Sequence, residues 1–426
     1  MPSSSVTTAQ LVSTEWRFLS YGLLMAFWSS LGQTFFISLF SADIRGDLGL
    51  SHGEFGSYYA IATTASAVCL FWVGRLADTI AVPRLSVMTL AGVCLAALFF
   101  STVGSVITLI IGIFLLRLSG QGMMYHVFST AIARRYRAVR GRALAIAGFG
   151  MSIAEALFPI GVVLALSFMS WRTVWMLLPL FAFITFAPLI PVLTRRTPFQ
   201  DGPGRQNSRE KADGGQNAEA GAEQRHVTDM GRAEVVRDPA FWCVIIWLMM
   251  IPGFAVTGLF FHQIHIAEMK QIPLLLWTSH YVWYAVAAVF GAMFAGILID
   301  RFSAHRIAAV TQLPLLASSL LIWLVSPGLG LVLFFVLFGI SGGMMQPTIN
   351  ALLAERYGTS RLGEIKAVAT PMNVFSSALS PAVMGLMIDA GVGMFGLSMM
   401  LATLASLNVL MPFFWFNIAR RMPATH

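Results

Sequence analysis

Residues 114–136, FLLRLSGQGMMYHVFSTAIARRY, return in altered form 221 positions later as residues 335–357, FVLFGISGGMMQPTINALLAERY. Among the residues that coincide are Gly122, Met123, Met124, Ala133, Arg135 and Tyr136, which match Gly343, Met344, Met345, Ala354, Arg356 and Tyr357. A second pair, GRLADTIAVPR at 74–84 and GILIDRFSAHR at 296–306, repeats at an offset of 222. Repeats at a constant offset indicate a chain built from two copies of one structural unit.

The composition indicates the medium in which this chain folds. Of its 426 residues 57% are hydrophobic and only 11% are charged, whereas a soluble domain carries about 25% charged residues. We therefore predict an all-α, polytopic membrane protein. The three cysteines lie in apolar runs without a pairing pattern, so neither a disulfide framework nor a metal site is predicted. The first apolar run, 18–40, is long enough to span and is not followed by a small-residue cleavage site, so no cleavable signal is expected.

Twelve apolar segments are long enough to cross a bilayer, which requires roughly 20 residues of helix. We number them span 1 to span 12. They are predicted to begin near Phe18, Phe55, Leu85, Ser105, Gly141, Arg172, Pro239, Leu274, Arg306, Leu329, Ile365 and Gly393. The connections between spans 3 and 4, 5 and 6, and 9 and 10 are very short, which makes each of these pairs a helical hairpin.

The basic residues predict the orientation. The loops that follow even-numbered spans, together with the two tails, hold 23 of the 27 Lys and Arg residues, whereas the other loops hold only Arg45, Arg172 and Lys270. By the positive-inside rule both termini are cytoplasmic. The net charge of +8 is therefore a topology signal rather than a patch that binds nucleic acid. We expect a monomeric, multi-pass protein of the cell inner membrane.

A polar, glycine-rich segment, 194–238, separates the two sets of six spans and carries eight basic and eight acidic residues. Such a segment cannot bury a hydrophobic core and is predicted to be a flexible cytoplasmic linker. The chain is therefore divided into an N-terminal six-helix bundle at 1–193, this linker, and a C-terminal six-helix bundle at 239–426.

Two halves with the same order of spans are related by an axis along the membrane normal. Such halves place a substrate site at their interface near the midplane and give alternating access when one half rocks against the other. The paired G-x-L-x-D loops, the Arg-then-Gly pattern of span 4 and the six-linker-six layout resemble the major facilitator superfamily over essentially the whole chain. Within it the chain is similar, more weakly, to bacterial monocarboxylate and oxalate/formate-type carriers. Unlike them it has no mid-membrane Arg in span 8 or Lys in span 11, where Lys366 lies at the cytoplasmic end.

The resemblance also implies a role for the repeated loops. In the superfamily the Asp and Arg residues of these loops form a cytoplasmic charge relay that holds the halves in the outward-facing state. The matching positions here are Asp78, Arg84, Asp300, Arg301 and Arg306. In the first copy Thr79 and Ala81 replace the usual basic residue and glycine, so a weaker gate is expected there. Alternatively, these charges only set the topology.

Two charges inside the spans occur in the N-terminal half alone. Arg117 coincides with Phe338 in the repeat, and Glu155 coincides with Ser376 or Ser377. Charges at membrane depth are rare and by default indicate function. Helical rise places Arg117 roughly 18 Å below the outer surface and Glu155 roughly 21 Å above the inner surface. In a bilayer core about 30 Å thick the two residues then lie within one or two helical turns of each other in depth. We therefore predict that they are coupled, directly or through water, and that Glu155 binds a proton. The alternative is a structural pair that locks spans 4 and 5.

The remaining candidates for substrate binding are uncharged or titratable residues in other spans. Gln33 in span 1 either hydrogen-bonds the substrate or joins two helices. In span 7, His262 and His265 are three residues apart and share a helix face. One of them lines the outer vestibule and titrates near neutral pH, or both have a structural role at the interface. A metal site is disfavoured because no further ligands stand at metal spacing.

Three more residues in the C-terminal half complete the predicted substrate path. His280 and Tyr284 in span 8 are four residues apart and are expected to face the same cavity. Asn373 lies between Pro371 and Pro381 in span 11. A helix interrupted in this way is tolerated where its backbone lines a cavity or finds other partners.

These features predict a proton-coupled secondary transporter. The cationic or titratable residues Arg117, His262, His265 and His280 outnumber the acids inside the spans, which favours a small organic anion such as a monocarboxylate. One alternative is a proton-driven exporter of amphipathic compounds or drugs, although span 5 lacks the Gly-Pro motif usual in such antiporters. Another is a non-transporting receptor on a transporter fold. No cofactor is expected, and an enzyme is disfavoured because no nucleophile, metal cluster or paired carboxylates converge.

Overall fold

The computed structural model describes residues 7–136, 139–195, 230–358 and 361–419. Within these ranges every regular element is a helix, so the prediction of an all-α fold is confirmed. Most of the predicted linker, 196–229, lies outside the described residues. The division of the chain at this linker therefore stays a prediction.

Among the described residues, ten helices are long and apolar enough to cross a membrane. They are His52–Thr79, Val82–Ser101, Val106–Arg135, Arg140–Leu166, Trp171–Leu193, Phe241–Phe261, Leu274–Phe302, Leu329–Tyr357, Leu362–Asp389 and Met394–Trp415, which are spans 2 to 8 and 10 to 12. Span 1 is a pair of helices, Thr8–Gly32 and Thr34–Leu48, bent by 48°. Span 9 is a shorter apolar helix, Val310–Leu324. These twelve segments correspond one to one to the twelve predicted from hydropathy.

The spans begin within a few residues of their predicted starts, with the exception of span 1. This helix starts at Thr8, ten residues before the predicted Phe18. Thr7 accepts a hydrogen bond from the backbone N–H of Gln10, and the Gln10 side chain accepts one from the N–H of Thr7. This capping box starts the helix in polar sequence, which a search for apolar runs does not detect.

Two irregular stretches of helix meet in the N-terminal half. Span 1 passes through a 3₁₀ turn at Ser29–Gly32 and an extended residue, Gln33 (φ −88°, ψ 152°). Span 4 contains a π-helical stretch at Arg117–Met124. The two stretches pack backbone against backbone, since a Cβ added to Gly32 would lie 2.9 Å from the Cα of Gly120. Irregular backbone at membrane depth is tolerated where it is buried in protein and often marks a functional site.

The two ends of the bundle differ in how the halves meet. We call the end at which even-numbered spans finish the basic face and the other end the opposite face. At the opposite face span 2 lies directly on span 11, and a Cβ added to Gly56 would lie 2.2 Å from the carbonyl oxygen of Pro381. Asp389 at the end of span 11 accepts hydrogen bonds from the N–H groups of His52 and Gly53. The halves are therefore in contact at the opposite face.

Two glycines in span 5 give a matched test of this packing. A Cβ at Gly150 would lie 1.9 Å from the carbonyl oxygen of Leu23 in span 1, whereas a Cβ at Gly148 would meet nothing within 4 Å. Alanine is favoured over glycine in a helix by about 1 kcal/mol, but forcing extra volume into a packed contact costs about 1 to 3 kcal/mol. We expect Gly150→Ala to lower the unfolding temperature of the purified protein and Gly148→Ala to leave it unchanged or raise it. Equal effects of the two substitutions would contradict this packing.

Candidate functional site

Arg117 is buried where the irregular parts of spans 1 and 4 meet. Its side chain is 3% exposed. One guanidinium nitrogen, Nη1, donates to the carbonyl oxygen of Gly32 at 3.3 Å and to the hydroxyl of Thr34 at 3.2 Å. The guanidinium carbon lies 5.4 Å from the ring centre of Tyr59 in span 2, a distance typical of a cation–π contact. Three spans therefore surround this cation.

The neutralisation of Arg117 is incomplete. Its Nε is buried without a hydrogen-bond partner, and within the described residues no carboxylate forms an ion pair with its guanidinium. The direct form of the predicted pair with Glu155 is therefore absent from this structure. The reason is that the break in span 1 and the π-helix in span 4 turn Arg117 towards Gly32 and Thr34. The predicted coupling through water is untested.

Glu155 instead faces the other half of the protein. It lies in span 5, which packs along span 8, and it is close enough to Tyr281 and Tyr284 to act on both electrostatically. Its carboxyl group makes no hydrogen bond or ion pair with a described residue. An ionisable group at this depth without a partner is a candidate for proton binding.

Gln33 lies at the break in span 1, next to the carbonyl that Arg117 contacts. Its backbone is extended rather than helical. The side chain makes no hydrogen bond with any residue that the structure describes, and it is only partly buried. A role of Gln33 in substrate binding stays a prediction.

A buried amide joins the halves above this site, towards the opposite face. Gln263 is fully buried. Its Nε2 donates to the carbonyl oxygen of Phe35 at 3.0 Å and to the hydroxyl of Ser38 at 2.7 Å, and its Oε1 accepts from Tyr281 at 2.7 Å. Ser38 in turn donates to the carbonyl oxygen of Phe260. Gln263 was not among the predicted site residues, although an amide in the apolar run GLFFHQIHIAE was a visible signal.

The two histidines that were predicted in span 7 lie just after its observed end at Phe261 and have different surroundings. His262 is 3% exposed, and its Nε2 lies 3.0 Å from the carbonyl oxygen of Pro381; because a carbonyl only accepts, this nitrogen is the donor. His265 is partly buried, with its ring centre 4.3 Å from that of His52. Burial lowers the pKa of His265 below its ordinary value. The sequence placed these two residues near an outer vestibule but did not predict that His52 joins them.

Two other predicted residues of the C-terminal half, His280 and Tyr284, lie against aromatic side chains of span 10. His280 is directed back along its own helix, with Nδ1 2.7 Å from the carbonyl oxygen of Leu276. Tyr284 packs on Phe260 and Phe338. His280 lies at the junction of two helical segments of span 8, and its carbonyl oxygen accepts from the backbone N–H of Tyr284 at 3.3 Å. A cavity that both residues face stays a prediction.

Asn373 faces span 7 rather than an open path. Its Oδ1 is buried without a hydrogen-bond partner and lies 2.3 Å from the position that a Cβ on Gly253 would occupy. The glycine therefore makes room for the amide. A role of Asn373 in substrate binding stays a prediction.

A cavity of about 790 Å³ lies between spans 2 and 11 near the basic face. Aromatic side chains of both halves line it, among them Phe71, Trp72 and Phe375. Its polar lining includes Arg75, Asp78, His126 and Lys366. His126 of span 4 and Lys366, which the sequence placed at the cytoplasmic end of span 11, thus reach the same space. The halves are separated here and in contact at the opposite face.

The repeated loops at the basic face make their contacts within their own halves. Asp78 forms an ion pair with Arg134 of span 4, and Arg134 also donates to the carbonyl oxygen of Ala77. Among the described residues, Arg84 and Asp300 have no ion pair, nor do Arg301 and Arg306. In the second half Glu355, the residue that coincides with Arg134, accepts from the N–H of Ala304. The contacts of both loops thus stay within their own halves, because the halves are apart at this face. A relay between the halves stays a prediction.

At the basic face each half has an arginine-tyrosine pair that binds a carboxylate. Arg135 and Tyr136 both bind the carboxylate of Glu15, with contacts of 2.7 Å from Nη2 of the arginine and 2.7 Å from the phenol. Arg356 and Tyr357 bind Asp238 in the same way, each at 2.8 Å. In each half this contact, called a clamp below, holds the start of the first span. The repeated Arg-Tyr pair was visible in the sequence, but its acidic partners were not predicted.

Asp238 lies outside the spans, and its charge is stabilised by the clamp. Burial would raise the pKa of this carboxyl, but hydrogen bonds from Arg356, Tyr357 and the N–H of Ala240 outweigh it and hold the pKa below its usual range. The stabilisation contributed by this clamp is therefore present near neutral pH and is lost as the pH falls through the pKa of the folded protein.

Twelve spans in two pseudo-symmetric halves, with unpaired polar groups buried between helices, define a polytopic membrane transporter rather than an enzyme. The sequence profile of the Major Facilitator Superfamily matches residues 22–381 and 272–425. The chain belongs to this superfamily, and the resemblance inferred from the repeated loops is confirmed.

Two solved structures share the fold. A bacterial homologue of the human lysosomal transporter Spinster, in an inward-facing and unoccupied conformation, has a TM-score of 0.68 and 15% identity over 95% of this chain and 96% of that chain. The nucleoside transporter NupG has a TM-score of 0.65 and 11% identity over 95% of this chain and 98% of that chain. At these identities the similarity concerns the fold alone.

One relative is recognisable by sequence. The multidrug resistance protein B homolog of Mycobacterium tuberculosis, in the strains CDC 1551 / Oshkosh and ATCC 25618 / H37Rv, is 32% identical over 117 residues. The match covers 28% of this chain and 21% of the relative, so the chain spans about a fifth of the relative's length.

Proposed function

We propose that this protein is a proton-coupled secondary transporter of a small organic anion in the cell inner membrane, with the basic face on the cytoplasmic side. The observation that carries the proposal is the state of Arg117. This cation is buried at membrane depth, it has no ion pair with a carboxylate of the described residues, and its Nε is unsatisfied.

The energetics favour an anionic ligand at Arg117. A cation in the centre of a bilayer costs about 2.5 to 3.5 kcal/mol even on the most lenient scale, and a buried polar atom without a hydrogen bond costs about 1 to 3 kcal/mol more. A bound carboxylate would neutralise the charge and accept from Nε, and Gln33 stands beside the site to contact the rest of the ligand. The transport cycle would then fill and empty a site that is unfavourable when empty.

Glu155 supports the proton-coupled part of the proposal. It has no counter-ion among the residues that the structure describes, and it lies where span 5 of one half meets span 8 of the other. A carboxylate that loses its contact with water at such an interface must bind a proton or gain a cation. Rocking of the halves would change its access to water, so that proton binding and conformation become linked.

A second candidate function is the export of amphipathic compounds. It is favoured by the partial match to a multidrug resistance protein and by the aromatic cavity between spans 2 and 11. Large apolar cavities with few polar groups suit such ligands. The two candidates differ in the charge that the ligand should carry.

A ligand panel separates the two candidates. The unfolding temperature of the purified protein would be measured with formate, oxalate, lactate, pyruvate and benzoate, and with the cationic compounds ethidium and tetraphenylphosphonium. A ligand at 100 times its Kd stabilises the folded state by about 2.7 kcal/mol, so we expect a clear upward shift with at least one organic acid. Counterflow in proteoliposomes should then show exchange of that acid in labelled form. Stabilisation by the cationic compounds alone would contradict the anion proposal and support the exporter.

A further inference from the structure

Three histidines from the two halves converge at the opposite face. His52 begins span 2, and its ring centre lies 4.3 Å from that of His265 and 5.9 Å from that of His262, both of which follow span 7. Phe261, next to them in the chain, stacks on Phe55 of span 2 with ring centres 5.1 Å apart. All of these contacts run between the halves and exist only while this face is closed.

The charged groups around the three rings come from three elements. Arg45, near the end of span 1, lies close enough to all three histidines to disfavour their protonation. Asp389 at the end of span 11 and Glu268 after span 7 act in the other direction. The two oxygens of Asp389, however, already accept from the N–H groups of His52 and Gly53. A protonated cluster in the closed state would therefore place several like charges within a few ångströms, partly removed from water.

We propose that His52, His262 and His265 form a pH-operated latch, in which their protonation separates the halves at the opposite face and opens the transporter on that side. Closure buries neutral imidazoles against each other and against Arg45. Opening would return the rings to water and increase the distances between them.

The direction of the effect follows from linkage. Burial and a neighbouring cation both disfavour the imidazolium form, so the closed state binds protons less tightly than a state in which the rings are hydrated. Acid therefore shifts the population towards the open state. Even a tenfold difference in proton affinity at one histidine would change the ratio of open to closed molecules by about tenfold. Under the proposed orientation the latch responds to the external pH.

The latch does not depend on what the protein transports. Its test reads the distance between the halves, whereas failure of the proposed function would appear as the absence of binding and exchange of organic acids. The two proposals can therefore fail separately.

The test measures the opening directly. Spin labels would be attached to Thr102→Cys after span 3 and Ser326→Cys after span 9, both exposed at the opposite face, in a protein whose Cys69, Cys94 and Cys243 are replaced by alanine. Pulsed electron spin resonance would be recorded in nanodiscs at about pH 8 and pH 5, on either side of the ordinary histidine pKa of about 6.5. We expect a longer distance to appear at the lower pH, with the ratio of open to closed molecules at least tenfold higher.

Histidine variants determine whether the latch is responsible. The triple variant His52→Gln, His262→Gln, His265→Gln should keep the same distance distribution at both pH values. If the triple variant does not fold, the single variant His265→Gln is used instead. The His265 side chain makes no hydrogen bond with a described residue, so this variant should fold, and with one titrating ring fewer it should show a reduced response to pH. His305→Gln, on the basic face beside Glu355, should respond like the unmodified protein. An unchanged pH response in the histidine variants, or no response in the unmodified protein, overturns the proposal.

Discussion

Arg117→Met is expected to abolish stabilisation by organic acids while leaving the unfolding temperature of the ligand-free protein unchanged or higher. Methionine fills a similar volume without a charge. Replacing a buried charged group by an apolar one of similar shape is often neutral or stabilising. Within the described part of the chain, Arg117 has no carboxylate partner that the substitution would leave unpaired.

The loss of binding should be large. Removal of one partner of a buried, hydrogen-bonded charge pair costs about 2 to 5 kcal/mol, which is a decrease in affinity of roughly 30-fold or more. Arg117→Lys keeps the charge but loses the planar fork of donors, so we expect it to retain only part of the affinity. The measurements are the unfolding temperature across a titration with the most stabilising acid, and counterflow of that acid.

A matched control distinguishes a local effect from a change in net charge. Arg232→Gln removes an exposed arginine at the basic face and should change neither measurement. If Arg117→Met instead lowered the unfolding temperature of the ligand-free protein by several degrees and left the response to acids intact, Arg117 would be a structural link between spans 1, 2 and 4. That result would contradict its proposed role as the anion site.

Glu155→Gln is expected to retain exchange of the organic acid across the membrane but to lose its accumulation driven by a pH gradient. Glutamine has the shape of a protonated glutamate but cannot release a proton. Counterflow, which needs no net proton movement, should persist in this variant. Accumulation of the acid driven by a pH gradient should be lost, because exchange without proton movement can only equalise the concentration of the acid on the two sides.

Both measurements use the same proteoliposomes with an internal pH-sensitive dye. Glu364→Gln, an exposed carboxylate at the start of span 11, is the control and should behave like the unmodified protein. Proton movement that accompanies the acid in the Glu155→Gln variant as it does in the unmodified protein would remove Glu155 from the coupling mechanism.

The repeat and the hydropathy pattern were sufficient for the fold. Twelve helical segments lie where apolar runs predicted them, because a bilayer requires continuous apolar helix and leaves few alternatives. The family followed from the repeated loops and is confirmed by the profile match. The single misplaced start, at Thr8, lies in polar sequence that the bilayer does not constrain.

Single-residue chemistry was visible in the sequence as well. Arg117 was identified because placing a charge inside an apolar span costs free energy. The second repeat has Phe338 at the matching position, which indicated that the arginine is not required for the fold. Gly343, one of the residues that the two repeats share, lies in a close helix contact, since a Cβ there would lie 1.9 Å from the carbonyl oxygen of Ala288. Gly122 coincides with it but is packed more loosely, with Leu70 Cδ1 3.2 Å from such a Cβ.

What the sequence alone determined, then, is which groups lie at membrane depth and in which half. Only the tertiary structure decided which groups meet. Residue counting along regular helices predicted that Arg117 and Glu155 lie within one or two helical turns of each other in depth. The break at Gln33 and the π-helix of span 4 instead turn the arginine towards span 1. The convergence of His52 with His262 and His265 likewise depends on the contact of spans 2 and 11. Depth follows from residue counting along one helix, whereas contact depends on rotation and breaks of several helices, which no local pattern encodes.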